Sequence, residues 1–240
     1  MKLVLDLGNT ASKIAVFKGE DMIFNKTVQA SDNLLSYLKE LEFNASILCS
    51  VVNHADELEN YLKKCGFYCK FNSDTKIPIK NDYQTPNTLG LDRLAAAIGA
   101  LRIVEGNSVL NIDAGTCLKY NLVLDNCFCG GAISPGLEMR NKVMHDKTAK
   151  LPLVQILDYK SDSIIGLNTN DSLISGLVNG VIFEIDGFIN DLKNKYPELP
   201  VVLSGGDAAF LEKRLKNSIF ADSNLVLKGL HAILQYNQEI

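Results

Sequence analysis

Two short segments of the sequence place a carboxylate, a glycine and a hydroxyl group as a phosphate-binding turn requires. The first is Asp6-Leu7-Gly8-Asn9-Thr10, followed by Ala11-Ser12-Lys13. Glycine lets the backbone approach a phosphate, and exposed N–H groups and the threonine hydroxyl donate to its oxygens. Because a carboxylate repels phosphate, Asp6 is expected to hold a hydrated cation, which in turn binds the phosphate. An ordinary hairpin turn explains a single copy equally well.

The second segment repeats this layout in the middle of the chain. Asp113-Ala114-Gly115-Thr116-Cys117-Leu118-Lys119 matches residues 6–13, with one extra residue in the first copy. Such a repeat indicates an internal duplication of a strand–turn–strand unit. Two copies that face each other across a cleft favour a nucleotide clamp over two unrelated hairpins.

The segment from Tyr83 to Arg93 could hold the acceptor of a phosphoryl group. Asp92 and Arg93 lie in the first turn of a predicted helix that starts at Leu91. Phosphoryl transfer to an alcohol needs a base near the attacking hydroxyl and positive charge for an anionic substrate group. The alternative is a carboxylate favoured by the helix dipole next to a surface arginine.

Other glycine-rich and capping segments have a simpler alternative. Gly205-Gly206-Asp207 follows a strand and could form a platform for adenosine, or only a strand-to-helix connection. Residues 130–136 could line the acceptor pocket or make a tight turn. Asn168-Thr169-Asn170-Asp171 would cap the helix that follows it.

Hydrophobic periodicity predicts the elements that must position these turns. Strands are expected at 2–7, 11–17, 22–28, 47–52, 108–113, 117–124, 126–132 and 201–203. Helices are expected near 34–41 after a cap at Ser31-Asp32, and at 55–65, 91–104, after 136, and at 171–195, 208–216 and 228–238. The sequence therefore predicts a duplicated α/β fold with an N-terminal lobe at 1–105 and a C-terminal lobe at 106–240.

Composition narrows the class of protein. The formal charge of −4 is mild and both signs are interspersed, which argues against a nucleic-acid partner. No run of apolar residues is expected to reach the length of a membrane span, and the N-terminus does not resemble a signal peptide. The expected location is the cytoplasm. The cysteines lack the paired Cys-x-x-Cys spacing of zinc sites.

Taken together, these motifs resemble those of type III pantothenate kinases, in the superfamily of acetate and sugar kinases, heat-shock cognates and actin. The resemblance runs over nearly the whole chain and includes Thr148-Ala149-Lys150-Leu151-Pro152 and Gly166-Leu167-Asn168-Thr169. It implies a duplicated ribonuclease H-like (actin-like ATPase) fold, with a central mixed sheet flanked by helices in each lobe. It also implies ATP-dependent phosphorylation of pantothenate to 4′-phosphopantothenate, the first step of coenzyme A biosynthesis.

The resemblance implies roles for individual residues as well. Asp92 matches the proton acceptor, and Asp113 would bind a monovalent cation, potassium or ammonium. Magnesium would accompany ATP. A homodimer is implied with the acceptor site near its interface, where the partner subunit could contribute part of the pantothenate pocket. The implied ATP-binding residues are Asp6, Leu7, Gly8, Asn9, Thr10, Ala11, Ser12, Lys13 and Thr116. The implied pantothenate-binding residues are Tyr83, Gly90, Leu91, Asp92, Arg93 and Thr169.

The sequence departs from the family pattern beside the proposed cation site. Lys119 stands where a hydroxyl residue is usual, and Asn121 stands where an acidic residue is common. Lys119 adds a positive charge there, so the requirement for a monovalent cation stays open. Two rival functions also stay open: a sugar or acetate kinase, and a non-enzymatic ATP-binding switch or transcription accessory protein on the same scaffold.

Overall fold

The computed structural model of the chain describes residues 1–8, 11–29, 34–50, 52, 56–156 and 163–239. Its strands are β1 (Lys2–Leu7), β2 (Ala11–Lys18), β3 (Asp21–Gln29), β4 (Ala45–Ser50), β5 (Phe67–Lys70), β6 (Lys80–Asn81), β7 (Val109–Ala114), β8 (Cys117–Leu124), β9 (Cys127–Pro135), β10 (Val201–Ser204) and β11 (Phe220–Ala221). Its helices are α1 (Leu34–Leu38), α2 (Asp56–Cys65), α3 (Leu91–Leu101), α4 (Leu137–Asp146), α5 (Thr169–Lys195), α6 (Ala208–Glu212) and α7 (Leu225–Glu239). The helix cap predicted at Ser31-Asp32 lies outside the described residues.

The chain forms two compact units that are not continuous in sequence. The first comprises Met1–Gly106, Asp125–Cys129 and the C-terminal segment from Asn224 onward. The second comprises Asn107–Leu124 and Gly130–Ser223. The predicted boundary at 105/106 falls one residue before the end of this first segment. The C-terminal segment, by contrast, belongs to the first unit because α7 packs on α3, β1 and β4.

The first unit is built on a mixed sheet with the strand order β3-β2-β1-β4-β5. The strand β1 pairs antiparallel with β2, which pairs antiparallel with β3, whereas β4 runs parallel to both β1 and β5. The short strand β6 pairs with the start of β9. Alternating buried positions such as Leu3, Leu5 and Leu7 form one face of β1 and belong to the core of this unit.

The second unit repeats this topology. Its strands follow the order β9-β8-β7-β10-β11, with β7 antiparallel to β8 and β10 parallel to both β7 and β11. Each of its strands therefore has a counterpart at the same place in the sheet of the first unit. The duplicated α/β fold predicted from the two Asp-Gly-Thr segments is confirmed.

The longest helix, α5, is an exception to the expectation that no segment reaches the length of a membrane span. By length and composition alone its 27 residues could cross a membrane, yet half of its most apolar stretch is buried inside the unit. Val181, Ile185 and Ile189 on this helix belong to the core of the second unit. The buried Asp186 on the same helix accepts a hydrogen bond from the side chain of Asn217. We therefore interpret α5 as the core helix of the second unit.

Helices α3 and α7 touch through their backbones. A Cβ atom at Gly229 would lie 1.8 Å from the carbonyl oxygen of Ala95 and 3.0 Å from the nitrogen of Gly99. A Cβ atom at Gly99 would lie 2.0 Å from the carbonyl oxygen of Leu225. Because these neighbours are backbone atoms, they cannot move aside without separating the helices.

The substitution Gly229→Ala is expected to destabilise the protein by about 1–3 kcal/mol, the usual cost of overpacking. The matched control is Gly187→Ala in α5, where an added Cβ has open space. There alanine should stabilise the helix by roughly 0.5–1 kcal/mol. Urea unfolding of both variants measures the two effects, and equal midpoints would show that α3 and α7 do not pack this closely.

Candidate active site

The first candidate phosphate turn connects β1 to β2. The backbone N–H of Gly8 donates to the carbonyl oxygen of Ala11 at 3.2 Å, and a Cβ at Gly8 would lie 2.9 Å from that oxygen. Glycine is thus the residue that lets this turn close. Across the hairpin, Asp6 is paired with Lys13 and Leu7 with Ser12. Asn9 and Thr10, the predicted tip of the turn, lie outside the described residues.

Asp92 lies at the start of α3, with its carboxylate against the helix N-cap. A Cβ atom on the N-cap residue, Gly90, would lie 2.6 Å from Oδ1 of Asp92. Burial raises the pKa of the Cys49 thiol to about 12, and the negative charges of Asp6 and Asp92 add to the rise. Cys49 is also the strand partner of Asp6. The carboxylates of Asp6 and Asp92 therefore both raise the pKa of the same buried thiol, Cys49, within the first unit.

Arg93 is buried rather than exposed. Only 6% of the residue is accessible to solvent. Its guanidinium carbon lies 5.8 Å from the ring centre of Tyr83 and 6.0 Å from that of Phe128, and the two rings are 6.1 Å apart. Cation–π attraction stabilises a guanidinium placed in this way. The alternative that Arg93 is an ordinary surface arginine is wrong.

The second candidate phosphate turn, Gly115-Thr116, is surrounded by two further glycine segments of the same unit. The N–H of Gly136 donates to the carbonyl oxygen of Thr116 at 3.1 Å, and a Cβ at Gly136 would lie 1.9 Å from the oxygen of Gly115. On the other side, Gly205 has φ +96°, and its Cβ would lie 2.1 Å from the oxygen of Ala114. Any side chain at either position would push the turn out of place.

Asp113, the strand-end carboxylate of this second turn, is already paired with a cation. The ammonium of Lys119, directly opposite on β8, lies 2.9 Å from its Oδ2. A second monovalent cation about 4 Å from this ammonium would be repelled by about 4 kcal/mol at the permittivity typical near a protein surface. The residues present therefore do not fit the potassium or ammonium site that the family resemblance implies for Asp113.

A buried amide ladder supports this ion pair from behind. The side chain of Asn121 donates to Oδ1 of Asn111 at 3.0 Å, and Asn111 donates to the hydroxyl of Ser204 at 3.4 Å. Asn111 and Asn121 are completely buried. These residues lie on the same faces of β7 and β8 as Asp113 and Lys119, because side chains two positions apart share a face. The ladder links three neighbouring strands just below the turn.

Thr169, another predicted substrate residue, is exposed at the start of α5 and lines a cavity of about 780 Å³ in the second unit. That volume is in the range of small-molecule sites. The cavity is mostly apolar, and its lining comprises Pro135, Met139, Arg140, Val143, Met144, Leu151, Thr169, Ser172, Leu173, Gly176 and Leu177.

One cationic side chain of this cavity, Arg140, is fixed by a carboxylate. Its guanidinium donates to Oε2 of Glu184 and to the carbonyl oxygen of Pro135. Tyr120 and Ser134 donate to the other oxygen of Glu184. Burial alone would raise the pKa of Glu184, but these hydrogen bonds outweigh it and hold the pKa below its ordinary value.

Comparison with known proteins shows the family to which the chain belongs. The family model of type III pantothenate kinases matches residues 2–191. The type III pantothenate kinase of Christiangramia forsetii is 41% identical to this chain over 99% of both proteins. The chain belongs to the type III pantothenate kinase family. The resemblance first seen in the motifs is thereby confirmed over the whole length of the chain.

Solved structures support the fold that this family implies. A structure from Campylobacter jejuni, described as a Baf family transcriptional activator, has a TM-score of 0.65 at 20% identity and covers 99% of this chain. This chain covers all of that one. A ROK hexokinase from Thermus thermophilus has a TM-score of 0.53 at 13% identity, with 98% of this chain and 99% of that one covered. At such identities the likeness concerns the fold alone, which is the duplicated actin-like fold.

For a member of the type III pantothenate kinase family, the structure assembles the predicted residues in two sets. Tyr83, Gly90, Leu91, Asp92 and Arg93 come together at the start of α3, and Thr116 lies in the second turn. Two features were missed: the ion pair between Lys119 and Asp113, and the fixation of Arg140 by Glu184. The first could have been found from register, since Lys13 is paired with Asp6 as Lys119 is with Asp113. The contact between Arg140 and Glu184 depends on the position of α5, and no residue near Arg140 in the sequence indicates it.

Proposed function

We propose that the protein transfers the γ-phosphoryl group of ATP to the 4′-hydroxyl of pantothenate, giving 4′-phosphopantothenate in the first step of coenzyme A biosynthesis. The observation that carries this proposal is the start of α3. There the carboxylate of Asp92 lies against the N-cap residue Gly90, and the next residue, Arg93, is buried, in a chain of the type III pantothenate kinase family. A base and a fixed cation are what an alcohol acceptor with a carboxylate requires.

On this proposal the phosphates of ATP bind to the two glycine turns. In the first unit the binding residues are Asp6, Leu7, Gly8, Asn9, Thr10, Ala11, Ser12 and Lys13, and in the second unit Thr116. Magnesium would accompany ATP and neutralise charge on the transferred group. Asp6 offers the oxygen ligand that magnesium prefers, directly or through bound water. Gly205 and Gly206 would form the backbone platform for the adenosine.

Pantothenate would bind through Tyr83, Gly90, Leu91, Asp92, Arg93 and Thr169. In this assignment Asp92 accepts the proton of the attacking hydroxyl, and Arg93 holds the substrate carboxylate. Part of the pantothenate pocket would come from the partner subunit of a homodimer. The second unit carries exposed apolar side chains that a partner could cover, among them Phe183, which is 55% exposed, and Val143, which is 52% exposed. We expect the reaction to take place in the cytoplasm.

An acceptor panel with labelled ATP tests the proposal. Enzyme in excess is mixed with ATP and magnesium, and with pantothenate, a hexose, acetate or no acceptor. We expect rapid single-turnover labelling of pantothenate alone. Labelling of a hexose or of acetate but not of pantothenate would favour the first rival. ATP binding without transfer to any acceptor would favour the ATP-binding switch, the second rival.

A further inference from the structure

The second strand-end carboxylate, Asp113, is held in an ion pair. The ammonium of Lys119 lies 2.9 Å from Oδ2 of Asp113, and the side chains are only 24% and 22% exposed. The pair is formed by residues that face each other directly across β7 and β8. Its geometry is therefore fixed by the register of the hairpin and does not depend on two long side chains meeting in solvent.

The surroundings of this pair show that it is a built feature of the second unit. Behind it, the completely buried Asn111 and Asn121 are hydrogen-bonded to each other, and Asn111 is bonded to Ser204. A buried polar network of this kind specifies one arrangement of the strands, because a slip in register would leave amides unsatisfied. Beyond the pair, a Cβ at Gly205 would lie 2.7 Å from Oδ1 of Asp113. The two oxygens of Asp113 are thus confined on both sides.

A carboxylate at the end of this strand repels a phosphate unless a cation stands between them or neutralises it. We propose that Lys119 is a positioning residue that serves as the built-in cation of Asp113, so that the enzyme needs no dissolved potassium or ammonium ion. The ammonium neutralises Asp113 beside the Gly115-Thr116 turn, so that the hydroxyl of Thr116 can donate to a phosphate there. This inference rests on the proposed function for its choice of substrate.

The wild-type enzyme provides the first test. Turnover with ATP, magnesium and pantothenate is measured at constant ionic strength with choline, sodium, potassium or ammonium as the only added monovalent cation. We expect rates that agree within about twofold across the four salts. A rate in choline at least about tenfold below the rate in potassium or ammonium would overturn the inference.

The variant Lys119→Thr provides the second test. It removes the ammonium and leaves Asp113 with an oxygen neighbour, so we expect about 10–100-fold lower turnover in choline, the usual range for losing a charged hydrogen bond. Potassium or ammonium should restore part of the lost turnover. The control is Lys195→Thr, which removes the exposed ion pair with Asp191 on α5 and should behave like the wild type. An unchanged Lys119→Thr in choline would overturn the inference.

Affinity for a non-hydrolysable ATP analogue, measured by calorimetry in choline and in potassium, gives a readout that needs no acceptor. The wild type should bind equally in both salts, and Lys119→Thr should bind more weakly in choline. Failure to phosphorylate pantothenate in any salt would refute the proposed function, whereas the binding measurements would still decide the role of Lys119. If Lys119→Thr does not fold, the wild-type salt comparison decides alone.

Discussion

Replacing Asp92 with asparagine is expected to lower kcat by about 10²–10⁴-fold, the usual contribution of a general base. Asparagine keeps the size of the side chain and its place against Gly90, but it cannot accept the proton of the attacking hydroxyl. The affinity for ATP should stay within about twofold, because the substitution removes an interaction that matters only as the acceptor loses its proton. Rapid-quench turnover and calorimetric titration with ATP measure the two quantities.

Asp56→Asn is the matched control, because Asp56 is also a carboxylate in the first turn of a helix. If Asp92 acts only through the helix dipole, both substitutions should cost about 0.3–1 kcal/mol of stability and leave turnover alone. The proposed role predicts instead that only Asp92→Asn loses activity. Normal turnover in Asp92→Asn would show that Asp92 is not the general base.

The second large effect is expected for Arg93→Gln, which should raise the KM for pantothenate by about 10–100-fold and change kcat much less. A hydrogen bond between charged groups contributes about 1.5–3 kcal/mol, and each 1.4 kcal/mol corresponds to a factor of ten. The substrate carboxylate is remote from the reacting hydroxyl, so its contact is made equally in the ground and transition states. Steady-state kinetics over a range of pantothenate concentrations measure the effect.

Because Arg93 is buried beside Tyr83 and Phe128, its loss could also disturb packing, and a substrate analogue separates the two effects. In the alcohol analogue of pantothenate, CH₂OH replaces the carboxylate. Wild type and Arg93→Gln should use this analogue with nearly the same KM. A control variant, Arg102→Gln, removes an exposed arginine paired with Glu20 at the end of α3 and should leave both substrates unaffected. An equal rise in KM for both substrates in Arg93→Gln would show that the role of Arg93 is structural.

The parts of this site that could be predicted from sequence are those determined locally. The turn after β1 is specified by Gly8, whose N–H and missing Cβ allow the chain to close on Ala11. The duplication was visible because the same residue types recur in the same order at Asp113. The sequence of α3 contains small residues, and one of them, Gly99, lets the helix approach another backbone closely.

The parts that were not predicted depend on contacts distant in sequence. Burial of Arg93 requires Phe128, which β9 brings back to the first unit, so the adjacent residues gave no sign of it. The C-terminal helix joins the first unit because Gly229 fits against Ala95, a match between two surfaces that periodicity cannot show. The sequence shows Lys119 only as a departure from the family pattern. The register of β7 and β8 places it opposite its partner, Asp113.

The most direct test of the central assignment is the identity of the product. Wild-type enzyme is incubated with ATP, magnesium and pantothenate, and the mixture is studied by phosphorus NMR with proton coupling and by mass spectrometry. We predict one new phosphate monoester whose phosphorus couples to the CH₂ protons at the 4′ position. An acyl phosphate on the carboxylate, or ADP released without any phosphorylated pantothenate, would contradict the account.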